Sequence, residues 1–171
     1  MHQLAADEKI TTVMVYSSNK LVHGELVTKT NVRVSILPRM QALTNFLHFF
    51  KAQVWFFGGA EPKLINYAEY FFPVEQMVGF HMAPPASDPL DYEPGMVNRS
   101  LSEISMMLGV FLVKGKILVS TQVELGANLE IAHKSWLSVY EGDVSSPFMA
   151  QMPVLHVPML LVRPAMVSFG V

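Results

Sequence analysis

Six histidines, His2, His23, His48, His81, His133 and His156, are the side chains best suited to hold a metal or move a proton. Imidazole and carboxylate would be the whole ligand set, because the chain has no cysteine, which excludes thiolate sites, thiol catalysis and disulfides. No two histidines fall at a spacing such as H-x-x-x-H, so no metal is expected. His81 and His156 lie in apolar segments and could meet only through tertiary packing. Asp88, Asp91 and Glu93 offer oxygens for a weak calcium site, but they lack the regular spacing of a cation loop, and a solvated loop is expected. No G-x-S-x-G elbow surrounds a serine, and Gly58-Gly59 lies in neither phosphate-loop pattern. The expectation is a non-enzymatic chain with no cofactor.

Aromatic side chains carry more information. Phe46, Phe49, Phe50, Trp55, Phe56, Phe57, Tyr67, Tyr70, Phe71, Phe72 and Phe80 all fall before residue 82. A unit of that size has difficulty burying so many rings. Consecutive pairs such as Phe49-Phe50, Phe56-Phe57 and Phe71-Phe72 also put rings on both faces of an element. Phe49, Phe50, Trp55, Phe57, Tyr70, Phe72 and Phe80 are therefore candidates for an interface or an apolar-ligand surface. The twelve methionines add adaptable apolar surface.

The elements that must position these rings read mostly as strands. Lys20–Val27 and Phe111–Val119 are rich in leucine, isoleucine and valine, and Gly24 and Gly115 suit a bend or bulge within them. Asn31–Leu37 alternates apolar and polar residues and predicts a half-buried strand. Gln53–Phe57 predicts another. Tyr70–Val74 and Gln76–Met82 predict a strand pair around a tight turn. Met40–Lys51, with Leu43, Phe46, Leu47 and Phe50 at helical spacing, predicts a short helix, and Leu129–Tyr140 is its weaker counterpart.

Prolines Pro84, Pro85, Pro89 and Pro94 mark residues 83–100 as a Pro-rich, acidic linker between blocks 1–82 and 101–171. The blocks resemble each other. Aligning Gly24 with Gly115 pairs Leu21 with Leu112, Val22 with Val113 and Thr30 with Thr121, a spacing of 91 residues. Near the block ends Met77, Val78 and Phe80 fall on Met166, Val167 and Phe169, a spacing of 89. The expectation is an internal repeat of two similar units packed on each other.

The pattern V-x-V-Y-x-x-N-K-x-x-x-G-x-L at 13–26 resembles the first motif of the Sm-like (LSm) barrel. Segments 70–82 and 159–171 resemble its closing hairpin. The same strand-glycine-strand opening is similar to an uncharacterised bacterial domain class. The resemblance implies two tandem small β-barrels and a tendency to pair sheet edges; the helical spacing above adds a short helix to at least one of them. The closing turns read Val74-Glu75-Gln76 and Arg163-Pro164-Ala165, without the family's Arg-Gly pair, so its RNA-binding residues are not carried over.

Charge agrees. Charged residues make up 15% of the chain and the net charge is −2. By segment it is +1 over 1–82, −2 over 83–100 and −1 over 101–171, so no basic stripe exists for nucleic acid. The run from Pro147 to Val171 holds one formal charge, Arg163, but its four prolines break a membrane helix. With no basic n-region at the start, a cytoplasmic location is expected. The function expected is a scaffold or interaction module whose partner is another copy of itself or another protein, without a membrane. The alternatives are a small barrel around an apolar ligand and, disfavoured, RNA binding.

Overall fold

The computed structural model describes residues 4–40, 44–133, 135–149 and 151–171. Its strands are β1 (Glu8–Tyr16), β2 (Lys20–Lys29), β3 (Phe46–Phe56), β4 (Lys63–Pro73), β5 (Gly79–Met82), β6 (Arg99–Leu108), β7 (Phe111–Ser120), β8 (Leu137–Ser145), β9 (Leu155–Val162) and β10 (Ser168–Gly170). Helix α1 spans Leu125–Ala132, and short 3-10 turns cover Val34–Arg39, Val74–Gln76 and Pro164–Met166.

The strands form one antiparallel sheet in the order β10-β6-β7-β8-β9-β5-β1-β2-β3-β4. The mostly-β expectation holds. The pairings describe an open ten-stranded sheet, however, and not two separately closed barrels. Each half has the same internal order, β5-β1-β2-β3-β4 and β10-β6-β7-β8-β9. The halves join edge to edge through β5 and β9, where Gly79 faces Val162 and Phe80 faces Leu161.

Both halves also bend at the same place. The β2–β3 register shifts between His23 and Glu25, and the β7–β8 register between Lys114 and Lys116, on either side of Gly24 and Gly115. The extra residue lies on the partner strand, where Lys51 and Glu141 have φ of 49° and 51°. A Cβ on Gly115 would sit 2.7 Å from Val139 Cγ1 and 3.0 Å from the Tyr140 oxygen, so only glycine lets the bulged strand approach. An ion pair spans each bulge with its signs exchanged: Lys51 to Glu25 at 3.0 Å, and Lys116 to Glu141 at 2.5 Å.

The core crosses the joint. Tyr16, Leu21 and Val78 of the first half are buried in one cluster with Leu108, Phe111, Val139 and Leu160 of the second. A second cluster holds Val13, Val15, Phe49, Phe72 and Phe80, with Trp136 of the second half packed against it. Fully burying side chains of this size contributes about 1.5–3 kcal/mol each, so the halves share their main stabilising term. Gly109, at φ 57°, brings the β6–β7 turn against the first half; a Cβ there would lie 2.4 Å from the Ser18 oxygen.

Four expectations are corrected. Met40–Lys51 is no helix: β3 begins at Phe46, and residues 41–43 lie outside the described residues. Buried Leu47 and Phe49 alternate there with less buried Phe46, His48 and Phe50, and aromatic rings favour the pleated surface. Asn31–Leu37 is no strand. Val34–Arg39 coils as a 3-10 turn around Pro38, which has no N–H to donate to a ladder. Residues 70–82 do not form a hairpin, because the turn Val74–Gln76 swings β5 away from β4 to pair with β1 and β9. The acids Asp88 and Asp91 are not merely solvated. Asp88 accepts the Ser35 backbone N–H at 2.9 Å, and Asp91 is bound by three side chains described below.

Candidate interaction surface

β4 is the outermost strand of the first half, and among the described residues it pairs on one edge, with β3. Residues 63–69 are exposed along their whole length. Leu64, Ile65, Tyr67 and Phe71 of β4, with Phe46 of β3, are large apolar side chains open to solvent, Phe71 at 56%. Directly across the hairpin from Phe71, His48 stacks on its ring at 4.3 Å with planes 15° apart. His48 also lies 4.4 Å from Phe50, and its Nε2 is 2.8 Å from a Glu69 carboxylate oxygen. A long edge strand with unpaired backbone groups and exposed rings is a template for adding another strand. Beside it, an open groove of about 380 Å³ is lined by Ile10, Glu25, Val27, Phe50, Lys51, Ala68 and Glu69.

The seven aromatic candidates separate by position. Phe49, Phe72 and Phe80 are fully buried in the first-half core. Trp55 and Phe57 are partly buried against the joint cluster, and Phe57 meets Phe111 edge-on at 5.2 Å. Phe50 and Tyr70 are half-buried on the β3–β4 hairpin. The hairpin's exposed rings are instead Phe46, Phe71 and Tyr67, with Leu64 and Ile65 beside them. The doubled Phe71-Phe72 carried the signal for the first group, since one ring of such a pair must face away from the core.

His81 is built into the core. His81 Nδ1 lies 2.8 Å from the Met82 carbonyl oxygen and so carries the proton, leaving Nε2 to accept the Tyr16 hydroxyl at 2.8 Å. Burial pushes the His81 pKa down to about 4 and raises that of Tyr16 well above its ordinary value. Both residues are sealed inside the core, so the neutral pair can reach no substrate. His48 and His156 face carboxylates at the surface, and no group of three or more metal-ligating residues exists among the described residues.

A second cluster binds the segment between the halves to both of them. The Arg39 guanidinium pairs with Asp91 and donates to the Ser138 hydroxyl at 2.8 Å and the Trp136 carbonyl at 2.9 Å. Ser138 and Tyr140 each donate to Asp91 at 2.6 Å. Burial alone would raise the Asp91 pKa; the bonds from Ser138, Tyr140 and Arg39 outweigh it and hold the carboxyl below its usual value. Arg163 adds a clamp across the joint. It donates to the Glu75 and Val74 carbonyls at 2.9 and 3.2 Å, with its guanidinium 4.9 Å from the Trp136 ring centre. No run of residue types announces these contacts, because their members lie 88 to 99 residues apart or meet through a loop.

No family model, no curated protein and no solved structure matches this chain.

Proposed function

We propose that this protein is a non-enzymatic, self-associating module, built from two copies of one small Sm-like β unit and working through its sheet edges and apolar faces. The observation that carries this reading is the β3–β4 hairpin, whose exposed Phe46, Leu64, Ile65, Tyr67 and Phe71 surround a strand edge that is unpaired among the described residues. Shared strand order, the paired bulges and the sign-exchanged ion pairs support descent of the two halves from one unit. The sealed Tyr16–His81 pair supports a structural reading of the strongest catalytic candidate. A lysine at the edge of a sheet blocks strand addition at little cost to the monomer. Size exclusion of Phe71→Lys beside the wild type tests the reading. A later elution of the variant supports it; identical elution at the monomer position counts against it.

The groove beside Lys51 favours a second reading, an apolar small ligand held against Ile10, Val27 and Phe50. A rise in melting temperature with a fitting apolar probe, abolished by Val27→Asp, would select that reading over self-association.

A further inference from the structure

We infer that copies of this chain join head to tail, with β10 of one copy adding to the β4 edge of the next in the geometry that already joins β5 to β9 within the chain. This rests on the self-association reading and specifies its interface. Strand β5 occupies the same place in its half, beside β1, that β10 occupies beside β6. Phe80 faces Val15 in the first half, and Phe169 faces Met106 in the second. Strand β9 likewise occupies the place of β4. Taking the bulge residues Lys51 and Glu141 as equivalent aligns the pair Ala52↔Tyr67 with Gly142↔Val157, and so Phe71 with Leu161.

Within the chain, β5 and β9 meet and their paired residues Phe80 and Leu161 are completely buried. The equivalent strands at the two ends of the sheet, β10 and β4, have no such neighbour among the described residues. Their equivalent residues are again large and apolar. Phe71 is 56% exposed and Phe169, packed on one side against the core, is only half-buried, so neither is covered as Phe80 and Leu161 are. A second copy supplies what each end lacks. The contact uses two different surfaces, so it is heterologous and either closes into a ring or runs on as a filament. The internal joint also has the Arg163 clamp, whereas the equivalent position on β4 is Pro73, which has neither a guanidinium nor an N–H. The contact between copies is therefore the weaker of the two joints and, being bimolecular, the one that comes apart on dilution.

The absence of cysteine makes a directed test clean. The equivalence sets Phe71 of one copy opposite Phe169 of the next, and directly opposed antiparallel residues have Cα atoms at disulfide distance. Phe71→Cys and Phe169→Cys proteins are prepared separately, mixed, oxidised and run on a non-reducing gel, with the wild-type mass measured by light scattering in parallel. The expected result is a covalent dimer in the mixture and none from either variant alone. A dimer from Phe71→Cys alone would mean that two β4 edges meet symmetrically, and would overturn the inference. An assembled wild type with no cross-link in the mixture would overturn this joint and leave self-association standing. A wild type that is monomeric throughout would overturn both. Phe71 is exposed, so its substitution leaves the core intact. Ile65→Lys, six residues along β4 and beyond the reach of the three-residue β10, should leave assembly unchanged; loss of assembly there would place the contact elsewhere on β4 and count against this joint.

Discussion

At the scale of single residues, His81 couples stability to pH. Its pKa of about 4 in the folded chain lies below the ordinary 6.5. Its contribution is therefore complete above about pH 6.5 and declines as the pH falls toward 4, by roughly 3 kcal/mol in all. Urea denaturation at pH 7.5, 5.5 and 4.5 should show the midpoint dropping across that interval, and a flat profile would refute the assignment. Tyr16→Phe leaves the buried Nε2 of His81 without a donor and should cost about 1–3 kcal/mol at neutral pH. Glycines differ in the same readout. Gly115→Ala places a methyl group against Val139 and the Tyr140 backbone and should cost about 1–3 kcal/mol. Gly126→Ala, in open space on α1, should gain about 0.5–1 kcal/mol. Thermal melts of the two variants should move in opposite directions.

At the scale of elements, the loop from Ala83 onward is held by its acids. Asp91→Ala removes the acceptor shared by Arg39, Ser138 and Tyr140 and should cost about 2 kcal/mol. Protease cleavage within residues 84–98 should quicken with it, and an unchanged melt and digest would count against a clamp there. Because the Asp91 pKa is lowered on folding, this stabilisation is present above the usual carboxylate range and is lost as the pH falls through the folded pKa. Strands β2 and β7, with their glycine bends, were legible in the sequence because both constraints are local. Apolar density marks a strand, and a missing Cβ marks a close approach. Met40–Lys51 was misread because a short apolar run satisfies helical and pleated spacing alike, and pairing with β2 and β4 decides between them. The destination of β5 was equally hidden, since nothing local to Gly79–Met82 says whether it pairs with β4 or with β1. At the surface, the excess of rings was legible, but which ring of each pair faces outward was settled by register.

At the scale of the whole molecule, one sheet runs through both halves and ends in two unlike edges, the long apolar β4 and the three-residue β10. A shared core ties the halves together, so the joint between them should not open before the chain unfolds, and a single unfolding transition is expected by fluorescence and circular dichroism. The outer edges have no such cover among the described residues, and burying their rings would drive the association proposed above. Light scattering on the wild-type chain from micromolar to nanomolar concentration tests self-association most directly. A mass above 19.1 kDa at high concentration that falls toward 19.1 kDa on dilution is the predicted result. A mass of 19.1 kDa at every concentration would contradict it.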